Sequence, residues 1–141
     1  MKLFYSHHCY KYDTLIEYWE NDVICNTLGP CNLEIVHPQH ELDRDLPESE
    51  IMENSFQLIK DCDVLVFSTV SGMIGHGVFN EVLFALNCGK PVYEIYGDQL
   101  FTVESIDDFY LRIDRFIFQG DNRQYAILIP PSPNDLLVPE S

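Results

Sequence analysis

"DVLVFSTVSGMIGHGVFNEVLFALNCGKPVYEIY", residues 63–96, decides the fold. It opens on a nearly continuous β-branched and aromatic run, "DVLVFSTV" (63–70), the pattern of a strand buried on both faces. Gly72, Gly75 and Gly77 follow closely. A helical pattern then starts at Gly77, with Val78, Phe79, Val82, Leu83, Phe84 and Leu86 apolar, and Gly89 closes it. Lys90-Pro91 leads into another apolar strand, "VYEIY" (92–96). Strand, glycine loop, helix and strand in that order form the unit of a parallel sheet covered on both faces.

The flanking sequence continues the alternation. "KLFY" (2–5) reads as the first strand. Asp13 is a candidate N-cap for a helix over 14–28, with Leu15, Ile16, Trp19, Val23 and Leu28 near helical spacing and Gly29-Pro30 as the stop. "NLEIV" (32–36) reads as a second strand, 37–50 as a polar proline-bearing loop, and 49–62 as a second helix. Ser105 and Asp108 resemble a capping box for a helix running to about 118, and "YAILI" (125–129) reads as the fifth strand. The pattern predicts a flavodoxin-like three-layer α/β/α sandwich with a five-stranded parallel sheet. One domain over 1–129 is expected, followed by a proline-rich tail at 130–141.

Bulk composition narrows the function. With 46% hydrophobic and 13% aromatic residues the chain has the material for a packed core. A net charge of −15 repels nucleic-acid backbones, so no nucleic-acid partner is expected. No apolar run is long enough to span a membrane, and "MKLFYSHHCYKYD" (1–13) lacks a secretory core, so a cytoplasmic location is expected. The five cysteines, Cys9, Cys25, Cys31, Cys62 and Cys88, form no CxxC pair and read as reduced thiols, with Cys62 and Cys88 as core fillers.

Parallel sheets bind ligands at the carboxyl ends of their strands. That rule gathers Tyr5–Cys9, Val36–His40 and Ser68–Gly77 around one crevice. The glycines match neither a dinucleotide fingerprint nor a Walker A loop, and a plain turn explains them as well as a ligand does. Glu81 is more telling. An acid in a first helical turn is favoured by the helix dipole, but its neighbours are apolar, and a buried acid needs a partner or a ligand.

Residues 61–96, with Asp63, Gly77, Glu81, Ala85, Gly89, Lys90 and Pro91 as matching positions, resemble the core of the nucleoside 2-deoxyribosyltransferase-like superfamily. The resemblance reaches back through "KLFYSHH" (2–8), and beyond about 100 it is one of topology. It implies that Glu81 attacks the anomeric carbon of a nucleoside or nucleotide and expels the base, with Tyr5 as an orienting hydroxyl. It also implies a homo-oligomer. The tail residues Leu136, Leu137 and Val138 would pack on a partner subunit or on their own core.

Two positions depart from that pattern. Gly75 stands where the transferases carry Asp and the nucleotide-hydrolysing branch Ser, and Ser55 stands where an Asp touches sugar or base. N-glycosidic cleavage commonly needs an acid for the leaving base. Either His76 or His7 supplies the proton, or the crevice belongs to a non-catalytic nucleotide-binding module or sensor. Ser6, His7, Ser68, Ser71, Gly75, Gly77 and Ser55 are the expected substrate-binding residues, with Glu81, Tyr5 and His76 catalytic. A third reading is an NAD glycohydrolase. No cofactor is expected. No metal is expected either, because His7, His8, His37 and His40 lack a helical His-x-x-x-His or a Cys pair.

Overall fold

The computed structural model describes residues 1–29, 33–43, 45–119 and 123–138. Pro30, Cys31, Asn32 and Arg44, read above as parts of a helix stop, a strand and a loop, lie outside the described residues, as do the last three residues of the tail.

The elements run β1 (Lys2–Ser6), α1 (Leu15–Leu28), β2 (Glu34–Val36), α2 (Pro38–Glu41), α3 (Glu48–Lys60), β3 (Val64–Ser68), β4 (Met73–Gly75), α4 (His76–Asn87), β5 (Val92–Tyr96), β6 (Gln99–Val103), α5 (Ile106–Leu111), β7 (Ile113–Gln119), β8 (Arg123–Leu128) and β9 (Leu136–Leu137). The main sheet has the order β2-β1-β3-β5-β6-β9. β2, β1, β3 and β5 are parallel, and β6 and β9 add antiparallel strands at one edge. A second sheet, β4-β8-β7, is antiparallel.

The α/β/α sandwich is as the sequence predicts. Side chains alternate along each strand, so one face of β1 and β3 presents Phe4, Leu65 and Phe67 to Ile59 of α3, Val78 and Val82 of α4 and Phe109 of α5. The other face presents Leu3, Tyr5, Val64 and Val66 to Val23 and Ile24 of α1. Stacked Phe56 and Phe84, 4.2 Å between centroids, join α3 to α4.

The sheet itself corrects the sequence reading. It has four parallel strands rather than five, because "YAILI" belongs to β8 in the second sheet. The helix expected to reach about 118 stops at Leu111, although Ser105 caps it through the Asp108 amide. Residues 113–119 have a spacing compatible with helix or strand, and pairing with 123–128 decides for strand. β6 follows a tight turn at Gly97, φ +63°, where Tyr96 pairs with Gln99. Leu136 and Leu137 pair with Phe101 and Leu100 of their own sheet. The loop expected over 37–50 contains the short helix α2 and the first residues of α3. Cys62 is buried as expected, whereas Cys88 is exposed beyond the end of α4.

α1 is turned the other way from its apolar pattern. Thr14, not Asp13, caps it through the Glu17 amide. Glu17 and Glu20 face inward with Val23 and Ile24, while Leu15 and Trp19 are 86% and 48% exposed. A buried carboxylate is tolerated only with partners. The partners of Glu17 and Glu20, described next, fix the helix in this rotation.

Candidate functional site

Ser6 ends β1, and its side chain falls on the α4 side of the sheet. There its Oγ donates to Glu81 Oε1 at 2.8 Å, both residues being buried. Glu81 comes from the second turn of α4, whose N-cap Gly75 is the last residue of β4. The two lie at the carboxyl ends of the central strands. There a cavity of about 790 Å³ opens, within the range of small-molecule sites. Glu81, Gly75, Gly77 and His76 form one wall, and Ser55, Met52 and Ile51 of α3 another. The third wall is His7 and His8 after β1, and the fourth is Phe118, Gln124 and Tyr125 of the second sheet.

Strand alternation divides the expected residues. Ser6, His7, Ser55, Gly75, Gly77, His76 and Glu81 meet at the cavity or in direct contact with it. Tyr5 and Ser68 do not, because each points to the opposite face, toward α1. The Tyr5 hydroxyl donates to Glu20 Oε1, so the structure corrects its expected place beside Glu81. Burial, then the nearby Glu20 charge, raises the Tyr5 pKa far above the ordinary phenol value. Ser68 Oγ donates to the same oxygen at 2.8 Å and accepts from Lys11 Nζ at 2.9 Å. Lys11 Nζ also donates to Glu20 Oε2 at 2.9 Å and to the Thr69 carbonyl at 2.8 Å. Ser71 sits in the β3–β4 turn with φ +51°, outside the cavity lining.

The histidines have distinct settings. His7 is buried and stacked on Tyr5 at 3.8 Å, with Nδ1 3.1 Å from the Tyr5 carbonyl and Nε2 2.6 Å from Glu17 Oε2. Glu17 also accepts from Gln39 Nε2 through both oxygens, at 3.2 and 3.1 Å. Burial lowers the His7 pKa, outweighing the opposing pull of Glu17. Both His7 nitrogens are therefore engaged by protein. His76 Nε2 meets Asn80 Nδ2 at 2.9 Å, one turn along α4. His8 Nδ1 accepts from the Tyr10 amide at 3.1 Å, capping a 3-10 turn over Cys9–Lys11. That bond puts the proton of the neutral ring on Nε2.

Several of these residues were outside the sequence reading. Glu17 and Glu20, three apart in an apolar helix, carried a usable signal, since one buried acid predicts a partner. Tyr125, Phe118 and Gln124 reach the cavity only because β8 pairs with β4, setting Tyr125 opposite Gly75. Among the described residues no group of three or more His, Cys, Asp or Glu side chains is arranged to hold a metal ion. No helix among them is long and apolar enough to cross a membrane.

No known family matches the chain, and no curated protein does. Among solved structures the chain is similar to the CMP N-glycosidase BcmB of Clostridium botulinum. The identity is 15%, the TM-score is 0.46, and the match covers 67% of this chain and 70% of that one.

Proposed function

We propose that this protein cleaves the N-glycosidic bond of a small nucleoside or nucleotide, with Glu81 as the nucleophile. The observation that carries this reading is a single buried carboxylate, held by Ser6, on the wall of a cavity at the strand ends. Glu81 attacks the anomeric carbon while the bond to the base breaks, and water then releases the sugar. Ser6 steers one carboxylate oxygen, leaving the group's orientation fixed before substrate arrives. Ser55, buried at 2% exposure, offers a hydroxyl to the sugar or base from α3. In this reading the acceptor is water rather than a second base. We propose further that the protein is a cytoplasmic homo-oligomer.

The non-catalytic binding module is favoured by two observations: Gly75 contributes no side chain, and each cavity histidine has a ring nitrogen occupied by protein. Chromatography of nucleosides, nucleoside monophosphates and NAD after incubation with wild type and with Glu81→Gln separates the two. Free base from wild type alone supports the glycosidase. Saturable binding with no product from any compound establishes the module instead.

A further inference from the structure

We propose, resting on the glycosidase reading above, that the substrates are N-ribosides of a cationic aromatic heterocycle, such as a pyridinium, whose leaving group departs without being protonated. The settings of the three cavity histidines point there. A neutral base leaves as an anion unless an acid supplies a proton. His7 has Nδ1 against the Tyr5 carbonyl and Nε2 against Glu17. His8 accepts at Nδ1 from the Tyr10 amide, and protonating that nitrogen would break the cap. His76 is tied to Asn80. Gly75, directly opposite Tyr125, brings no acid of its own.

The same wall suits a flat cation. The rings of His8 and Tyr125 lie 6.3 Å apart and within 28° of parallel, with Gly75 as the floor between them. A Cβ on Gly75 would sit 3.6 Å from His8 Cδ2 and 3.7 Å from Tyr125 Cε1, so the bare backbone keeps that slot open. A flat heterocycle between two rings needs about 7 Å, two carbon contacts of about 3.5 Å each, so a small outward tilt admits it. Tyr125 offers a π face to a positive ring. Among its described lining residues the cavity has the carboxylates Glu48 and Glu81 and no lysine or arginine, and the chain carries −15 overall. A positive ligand is drawn to such a site.

The chemistry balances without an acid. Glu81 forms a bond to C1′ as the C1′–N bond breaks, and its electron pair neutralises the ring nitrogen. Water then attacks C1′, the carboxylate leaves, and one proton passes to solvent in each turnover.

Two measurements test this. The first compares kcat/KM for nicotinamide riboside with that for cytidine and guanosine, with wild type and Glu81→Gln, and follows proton release with a pH indicator. At least a hundredfold preference for the pyridinium riboside and one proton per nicotinamide are expected. The second measures Kd for the isosteric pair 1-methylnicotinamide, a cation, and 3-methylbenzamide, its neutral counterpart. At least tenfold tighter binding of the cation is expected, reduced in Tyr125→Leu and kept in Tyr125→Phe. Neutral nucleosides cleaved through Glu81 as fast as the pyridinium riboside, or equal Kd values for the pair, overturn this inference and leave the glycosidase reading standing. No Glu81-dependent release from any compound overturns both.

Discussion

Buried acids stand on both faces of the sheet at the strand ends, and they are treated differently. On the α1 face Glu20 has both oxygens engaged, by Tyr5 and Ser68 on one and by Lys11 on the other. Glu17 is held by His7 and Gln39, without a lysine or arginine beside it in these contacts. On the α4 face Glu81 takes a hydroxyl from Ser6 and borders a cavity of about 790 Å³. Burial alone therefore does not mark an acid as reactive. A carboxylate locked by a cation and several donors holds the fold together, and one lying beside space for a ligand is available for chemistry.

The contrast breaks most sharply at Glu81. Glu81→Gln should cut base release by at least ~10³-fold, as loss of a covalent nucleophile does. Its unfolding midpoint should stay near that of wild type, because Gln keeps the shape and still accepts from Ser6. A large drop in the midpoint would put Glu81 in the same class as Glu20. The reverse pattern is expected at Lys11. Lys11→Met leaves the Glu20 charge buried without its cation and should cost about 3–5 kcal/mol in denaturant unfolding. Adding Glu20→Gln to that variant should recover part of the loss, which a double-mutant cycle reads directly. Additive losses would deny that the two residues act as a pair.

Ser6→Ala sharpens the comparison from the other side. It should lower kcat by roughly 10–100-fold through misorientation of the carboxylate, while costing stability only about 1 kcal/mol. The smallest effect is in pH. Burial depresses His7 and His37 below their ordinary values, so the folded state prefers both rings neutral. The unfolded chain takes up protons first as pH falls below about 6.5. Stability from this source is complete above that pH and declines below it, and His7→Asn should flatten the slope between pH 6.5 and 5 in urea titrations.

Much of the architecture was legible because local pattern and tertiary role agree there. Val64–Ser68 within "DVLVFSTV" is buried on both faces, and the helix predicted over Gly77–Asn87 runs from His76 to Asn87. The misreadings share a cause. Leu15, Ile16 and Trp19 look like a core stripe, yet they face outward because Glu17 and Glu20 find Lys11, Ser68, Tyr5, His7 and Gln39 inside. Residues 113–118 look helical until 123–128 pairs with them. In both cases contacts between distant segments decide, and periodicity carries no record of them. β6 is different, since Gly97-Asp98 between two apolar runs is a hairpin signal that lies in plain view. Within the site, Glu81 stood out as a lone acid among apolar neighbours. Tyr5 went to the wrong face because Tyr5 and Ser6 are adjacent on a strand, and adjacent strand residues point opposite ways.

The second sheet also separates the parts of the site along the chain. The acid rides on α4, near residue 80, whereas the wall opposite Gly75 comes from β7 and β8, more than thirty residues later. The hairpin is anchored by its pairing with β4 and by Ala126 and Leu128 in the core, which leaves its cavity-facing side chains open to exchange. Drift at Phe118, Gln124 and Tyr125 would therefore change which ligand is admitted while the Ser6–Glu81 pair stays as it is. Under the proposed function, ligand choice and the reacting acid are carried by separate segments, and directed evolution for new substrates should begin in that hairpin.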